Sequence, residues 1–213
     1  MASGPAGGAR RPRRMSPDRR REDLVRTTLR LFSERSPERV SPEDVAAAAD
    51  VSRALVYRYF SDMDELRTAA LRSAIGELAP RLAPPEELPP AEQVRSALRA
   101  FIAFAEEYAP AYTALLRGGS KVATERTEAL IDEVRGQVLA LLAERSGAGE
   151  PSPRVRLAMR CWISAVESAV LIWIEERPMP AAELADWLLG QLLAMVGASG
   201  AGDAEAFAAR HIG

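Results

Sequence analysis

The sequence predicts an all-α protein: an N-terminal three-helix helix-turn-helix head carried on a C-terminal helical bundle body. Three observations predict it. The long periodic segments repeat their apolar positions at i, i+3, i+4 and i+7, the spacing of one helical face. Between Ser41 and Leu66, capping residues, a first-turn proline and a turn residue are spaced for short consecutive helices. No run alternates apolar and polar residues convincingly enough for a strand, and no internal repeat is visible.

Residues 1–17 are mostly Gly, Ala, Ser, Pro and Arg, too poor in large apolar groups to fold, and read as a flexible basic arm. From Asp18 a helix is expected, with Val25, Thr28, Leu29 and Phe32 on one stripe and Arg19, Arg20 and Arg21 at its start. Ser36-Pro37 ends it, because the residue before a proline is pushed out of the helical region. Ser41 then serves as an N-cap, Pro42 opens the next helix and Asp44 stands at N3. The helix continues through Ala46 to Ala49 and breaks at Asp50-Val51. The turn residue there favours positive φ, where glycine is best and aspartate is tolerated. Ser52 caps a second short helix that runs to about Tyr59. Ser61 is expected to cap a third, with Asp64 at N3, running through Leu66, Ala70 and Leu71 toward Leu78. Ala46 supplies the small residue at the closest approach of the two short helices. Val45, Ala49, Val51 and Val56 supply the apolar cluster between them.

Pro80, Pro84, Pro85, Pro89 and Pro90 cannot be helical throughout and set the expected boundary between a head, 18–79, and a body, 80–213. In the body, Val94, Leu98, Phe101, Ile102 and Ala105 form one stripe, and Leu130 or Ile131, Val134, Val138 and Leu141 another. Ser146 to Pro153 reads as a loop. A helix from about Pro153 to Glu176 is apolar on nearly every side in its second half, so it should be central. A last helix, Pro180 to Val196, carries Leu184, Trp187, Leu188, Leu192 and Met195.

Composition excludes several classes. The chain is 47% apolar and 27% charged, ordinary for a globular protein. Its net charge of −2 hides an asymmetry: 15 Lys+Arg against 11 Asp+Glu through Arg72, and 13 against 19 beyond it. A basic front on an acidic body fits a polyanion met by the front alone. Cys161 is the only cysteine, so no intrachain disulfide forms and a reducing compartment is expected. His211 is the only histidine, so triads and metal sites built on His or Cys lack their parts. No cofactor and no metal are expected. No paired carboxylates on a shared face stand out, and an enzyme is not expected. Arg160 and Glu167 interrupt the apolar stretch from Leu157 to Ile174, which argues against a bilayer span. Arg10, Arg11, Arg13 and Arg14 precede no apolar run, so no secretory signal is read there.

Asp50-Val-Ser-Arg-Ala-Leu-Val-Tyr-Arg-Tyr-Phe60, followed by Ser61 to Leu66, resembles the DNA-binding signature of TetR-type transcriptional regulators. Phe32-Ser-Glu-Arg35 and Val45-Ala46 fall in register with it, so the specific likeness covers roughly residues 21–71. The body resembles the family more loosely, through its helix count and Trp162, Glu167 and Trp173 on a late helix. Asp50, Leu55, Tyr59 and Met63 depart from the family, which more often has glycine, a hydroxyl residue, histidine and lysine there.

The second short helix would lie in the major groove of double-stranded DNA. Arg53 and Arg58 are bidentate donors suited to guanine or phosphate. Ser52, Tyr57 and Tyr59 can offer hydroxyls to phosphates, and Arg19, Arg20 and Arg21 can grip the flanking backbone. Ser41 and Ala54 complete the expected contact set. For the arginine triplet, a solvated basic face is the alternative; for the stretch from Arg10 to Arg14, a bare tail is weighed against a minor-groove arm.

The resemblance also implies a homodimer through the last two long helices, with recognition helices about 34–36 Å apart on a pseudo-palindromic operator. It implies an effector pocket in the body. Phe101, Phe104, Tyr108, Tyr112, Met159, Trp162, Glu167 and Trp173 are the candidate lining for a small apolar or amphipathic effector, with plain core as the alternative. Glu167 is expected to attract a cationic effector or to pair with a neighbouring arginine such as Arg156 or Arg160, and the ion pair is the favoured reading. The resulting expectation is a cytoplasmic repressor whose effector moves the helix from Ser61 toward Ala79 and spreads the heads. An activator, an effector-independent regulator and a helical adaptor without specific DNA binding are the alternatives.

Overall fold

The computed structural model describes residues 15–83, 87–117, 124–145 and 151–199; the arm over 1–14, residues 146–150 of the expected loop and His211 lie outside them. Among the described residues the chain is all helical, in the order α1 (Pro17–Glu34), a 3-10 turn (Pro37–Arg39), α2 (Pro42–Ala48), α3 (Arg53–Tyr59), α4 (Met63–Arg81), α5 (Pro90–Glu107), α6 (Ala109–Leu116), α7 (Glu125–Arg145), α8 (Pro153–Glu176) and α9 (Ala181–Gly197).

Local chemistry accounts for the starts of the head helices. Ser16 caps α1, accepting from the Arg19 N–H, with Pro17 in its first turn. At α2 the capping box is complete: the Ser41 hydroxyl accepts from the Asp44 N–H at 3.2 Å, and the Asp44 carboxylate accepts from the Ser41 N–H at 2.8 Å. Asp50 takes the left-handed conformation, φ 53°, as the turn requires. The Ala46 carbonyl then accepts from the Val51 N–H at 2.9 Å, which brings the two short helices together at a small side chain.

The cap of α4 corrects the expectation for Ser61 and Asp64. Asp62 is the N-cap, accepting from the Glu65 N–H at 2.7 Å, while Glu65 reaches back to the Ser61 N–H at 2.8 Å. Asp62 and Glu65 together satisfy donors at the helix start reciprocally. Asp64 faces α7 instead, accepting from Thr124 at 3.3 Å and pairing with Arg126 at 3.5 Å.

The helix also runs through Pro80 to Arg81. A proline this close to the C-terminal end disturbs little of the hydrogen-bond ladder. Helix α6 has no counterpart in the sequence reading. Tyr108 closes α5 and opens α6, at φ −110° and ψ 31°, with Pro110 following in the first turn.

Among the described residues, two hydrophobic cores result. The first joins Leu24, Phe32, Val45, Val56, Phe60 and Leu66 of the head to Phe104, Tyr108, Ala111 and Leu130 of the body. The second lies among α5, α8 and α9, around Ile102, Met159, Trp162, Val170, Leu188 and Leu192. The Trp162 indole donates to the Leu188 carbonyl at 2.8 Å and fixes α8 against α9. Helix α8 is long and apolar enough by composition to cross a membrane, but it buries Val155, Met159, Trp162, Ile163, Val166, Val170 and Trp173 inside the protein.

Candidate DNA-binding head and effector cavity

Helix α3 presents an exposed face of Ser52, Arg53, Ala54, Tyr57 and Arg58 beside the buried Val56. Its length is only seven residues, so its position depends on α2 and the core beneath it. Arg53 is held at 2.7 Å by Glu43 of α2 and lies 5.4 Å from the centre of the Tyr57 ring. Tyr59 is half-buried against the head core, and Phe60 is fully inside it.

The three arginines of α1 separate in their roles. Arg20 pairs with Asp23 at 3.1 Å, and Arg21 stacks over Phe60 at 4.7 Å while pairing with Glu65 at 3.7 Å. Arg19 is exposed. Ser41 is engaged in its capping box, and Asp44 is further held by Arg35 at 3.2 Å. Hydrogen bonds from the Ser41 N–H and hydroxyl, with the nearby Arg35 charge, lower the Asp44 carboxyl below its ordinary value.

In the body, an apolar cavity of two lobes lies between α4, α5, α6, α7 and α8. The outer lobe, partly open to solvent, has a cavity volume of about 110 Å³ and is walled by Leu78, Leu82, Val94, Phe101, Val138, Leu142 and Trp162 among others. The inner lobe, of similar size at about 110 Å³, lies against Leu71, Phe104, Tyr108, Ala111, Tyr112 and Leu115. Glu167 stands where the lobes meet. It is bound to Arg135 of α7 through two hydrogen bonds, at 2.9 and 2.7 Å. This corrects the expected partner: Glu167 reaches across to α7, whereas the exposed Arg156 and Arg160 lie two to three turns away along α8, about 16 and 10 Å along its axis.

The Tyr112 hydroxyl donates to the Glu167 carbonyl at 3.0 Å, and burial together with the Glu167 charge raises the phenol far above its ordinary value. Burial first, then the charge of Glu77, pushes Tyr108 up to about 12.

Phe101, Phe104, Tyr108, Tyr112, Trp162 and Glu167 thus come together around the cavity. Met159 and Trp173 line neither lobe. Met159 is sealed in the core among α5, α8 and α9. Trp173 lies toward the end of α8, its indole donating to the Met179 carbonyl at 2.8 Å beneath Arg177. Val134, Arg135, Val138 and Leu141 of α7 line the outer lobe and were not foreseen as lining. The sequence signal for them was the aliphatic stripe of that helix, with one arginine beside it.

The family profile for bacterial regulatory proteins of the tetR family matches residues 24–70, and that for the tetracyclin repressor-like C-terminal domain matches residues 90–195. A solved tetR-family regulator from Streptomyces coelicolor is 36% identical, with a TM-score of 0.87 over 93% of this chain and 90% of that one. The chain belongs to the TetR family. As a TetR-family member it is a DNA-binding transcriptional regulator, its helix-turn-helix formed by α2 and α3.

Among its relatives is the HTH-type transcriptional activator FasR of Mycolicibacterium smegmatis, 30% identical over 141 residues, 60% of this chain. That match spans 64% of the relative's length. The Thermus thermophilus FadR repressor, solved with lauroyl-CoA, shares the TetR fold at 23% identity and a TM-score of 0.53, over 81% of this chain and 93% of that one.

Proposed function

We propose that the protein is a homodimeric repressor, released from a pseudo-palindromic operator when a small apolar effector enters the body cavity. The supporting observation is that one helix serves both halves. Leu66, Ala70, Leu71 and Ala74 of α4 pack in the head core, while Leu78 and Leu82 wall the outer lobe. An occupant that shifts the C-terminal half of α4 therefore shifts the platform on which α3 is held. Such a ligand moves the balance between DNA-fitting and spread dimers only by its differential affinity for the two; a hundredfold release needs about 2.7 kcal/mol.

In this reading 18–79 binds DNA, and 80–213 binds effector and dimerises. Arg53 and Arg58 read or grip the major groove, Ser52, Ala54, Tyr57 and Tyr59 set the helix against the backbone, and Arg19, Arg20, Arg21 and Ser41 hold the flanks. The exchange costs intramolecular partners: Arg53 leaves Glu43, and Arg21 shares its charge with Glu65. The dimer forms through α8 and α9, whose outer faces expose Leu157 (62%), Ile172 (50%) and Trp187 (49%) to solvent in the single chain. The cytoplasm is the setting.

Selection of bound duplexes from a random pool at about 150 mM salt tests the DNA reading, since specific contacts survive while non-specific ones weaken. One palindrome with half-sites a helical turn apart is the expected result; no retained sequence from folded dimer defeats it. The name of the Mycolicibacterium relative favours activation as the second reading. A reporter driven from the selected operator separates the two: deleting the regulator raises expression for a repressor and lowers it for an activator.

A further inference from the structure

The two lobes of the cavity adjoin each other and share part of their wall. Leu78, Phe101, Val134 and Glu167 wall both lobes. The outer lobe adjoins a cleft between α4 and α7 that is bordered by the exposed Ala79, Ala83 and Gln137 and shares Leu78, Leu82 and Val138 with it. Phe101 is half-buried, packs against both hydrophobic cores and meets Tyr112 edge-on, with ring centres 5.9 Å apart.

The polar groups along this cavity already have partners. Gln93 donates to the Leu88 carbonyl at 2.7 Å, Tyr108 to Glu77 at 3.4 Å, and Tyr112 to the Glu167 carbonyl at 3.0 Å. Arg135 is bound by Glu167 and also by Asp132, at 2.9 Å. A polar effector would have to break these contacts to make its own, which cancels most of the gain. The paired charges of Arg135 and Glu167 likewise leave no uncompensated carboxylate at the waist to select a cation. The remaining source of affinity is burial of hydrocarbon.

We infer that the effector is a single unbranched hydrocarbon chain, its polar end left at the cleft between α4 and α7, and that Phe101 is the specificity residue that measures its length. This rests on the effector cavity proposed above. A short chain fills the outer lobe. A longer one must turn the Phe101 ring aside to reach the space beside Leu71 and Leu115, and it gains less for each added carbon.

Trp162 in the outer lobe supplies a fluorescence signal for the test. The full chain is titrated with straight 1-alkanols from 1-hexanol to 1-tetradecanol. Affinity is expected to rise about fourfold per methylene, the transfer value of one CH2 group, up to a break in the series, then to rise less steeply. Phe101→Leu, checked by thermal unfolding, shifts the break to longer chains. Leu115→Phe, which narrows the inner lobe, reduces the further gain past the break, in the native background and with Phe101→Leu alike.

An unshifted break in folded Phe101→Leu overturns the inference. So does failure of every alkanol to bind, tighter binding of alkyltrimethylammonium than of the alkanol of equal chain length, or equal binding of branched and linear isomers. The predicted length pattern with no change in operator affinity upholds the length gauge and defeats the proposed regulation instead.

Discussion

Arg135 and Glu167 join α7 to α8 through two parallel hydrogen bonds, Nε to Oε1 at 2.9 Å and Nη2 to Oε2 at 2.7 Å. The pair lies beside the waist of an otherwise apolar cavity, and its two ends are unequally wet: the side chain of Glu167 is 17% exposed and that of Arg135 40%. Removing the arginine therefore leaves a mostly buried carboxylate, whereas removing the glutamate leaves Arg135 its contact with Asp132. Arg135→Met should cost about 2 kcal/mol and Glu167→Gln about 1 kcal/mol, below the range for fully buried pairs because water screens the guanidinium. The double variant should cost less than the sum. Urea unfolding midpoints in a double-mutant cycle check this, and additive losses would show that the two side chains do not interact.

The Ser41–Asp44 box makes α2 sensitive to acid. The Asp44 carboxyl is lowered in the folded protein, so its stabilisation is present above its ordinary value near 3.8 and is lost as pH falls through the lower folded value. Asp44→Asn should be less stable than the wild type at pH 7 and approach it in strong acid. Ser41→Ala should lose about 1 kcal/mol at neutral pH through the missing cap. Denaturation followed by circular dichroism at both pH values provides the comparison.

Asp50 sits at φ 53° between the two short helices, where a side chain strains the backbone. Asp50→Gly should raise stability by up to about 1 kcal/mol, and Asp50→Val should lower it by at least that much. A thermal midpoint that falls with glycine would mean that the aspartate side chain contributes a contact outweighing the strain.

In the proposed complex, Arg53 and Tyr57 act differently on DNA. Arg53→Ala should weaken operator binding by about 1–3 kcal/mol and relax preference at the base it reads. Tyr57→Phe should weaken all sequences alike, since a phosphate contact carries no base information. Glu43→Gln releases Arg53 from its 2.7 Å partner and removes an acidic group, so it should tighten non-specific binding at low salt. Competition titrations against a mismatched duplex distinguish these outcomes.

Trp187 tests the proposed dimer. It is 49% exposed in the single chain, yet it lies on a helix whose adjoining face is sealed by Leu184, Leu188 and Leu192. Trp187→Glu should yield a folded monomer in sedimentation and lose operator binding with it, because one half-site alone holds weakly. An unchanged dimer would move the interface away from the outer face of α9.

Much of this architecture could be read from the chain because its signals are local. The start of α2 at Pro42, the cap at Ser52, the left-handed Asp50 and the long helices from Pro153 and through Leu184 follow from residues that satisfy one another within a turn or two. The break at Tyr108 and the shift of a cap from Ser61 to Asp62 were harder, because neighbouring residues competed for the same role and the surrounding contacts chose between them.

The cavity was legible only in outline. Periodicity separates apolar faces from wet ones, but it does not say which helix a face will meet. Met159 and Trp162 both lie buried on α8, yet only Trp162 reaches the outer lobe. Glu167 stood out as a carboxylate in an apolar helix, while its partner lay 32 residues away on α7. The sequence by itself determined most of the helices and those ends that a local cap or turn fixes, since these depend on hydrogen bonds closed within a few residues. The tertiary structure decided which side chains face one another across the cavity, because the rotation and packing of separate helices bring distant charges and rings together.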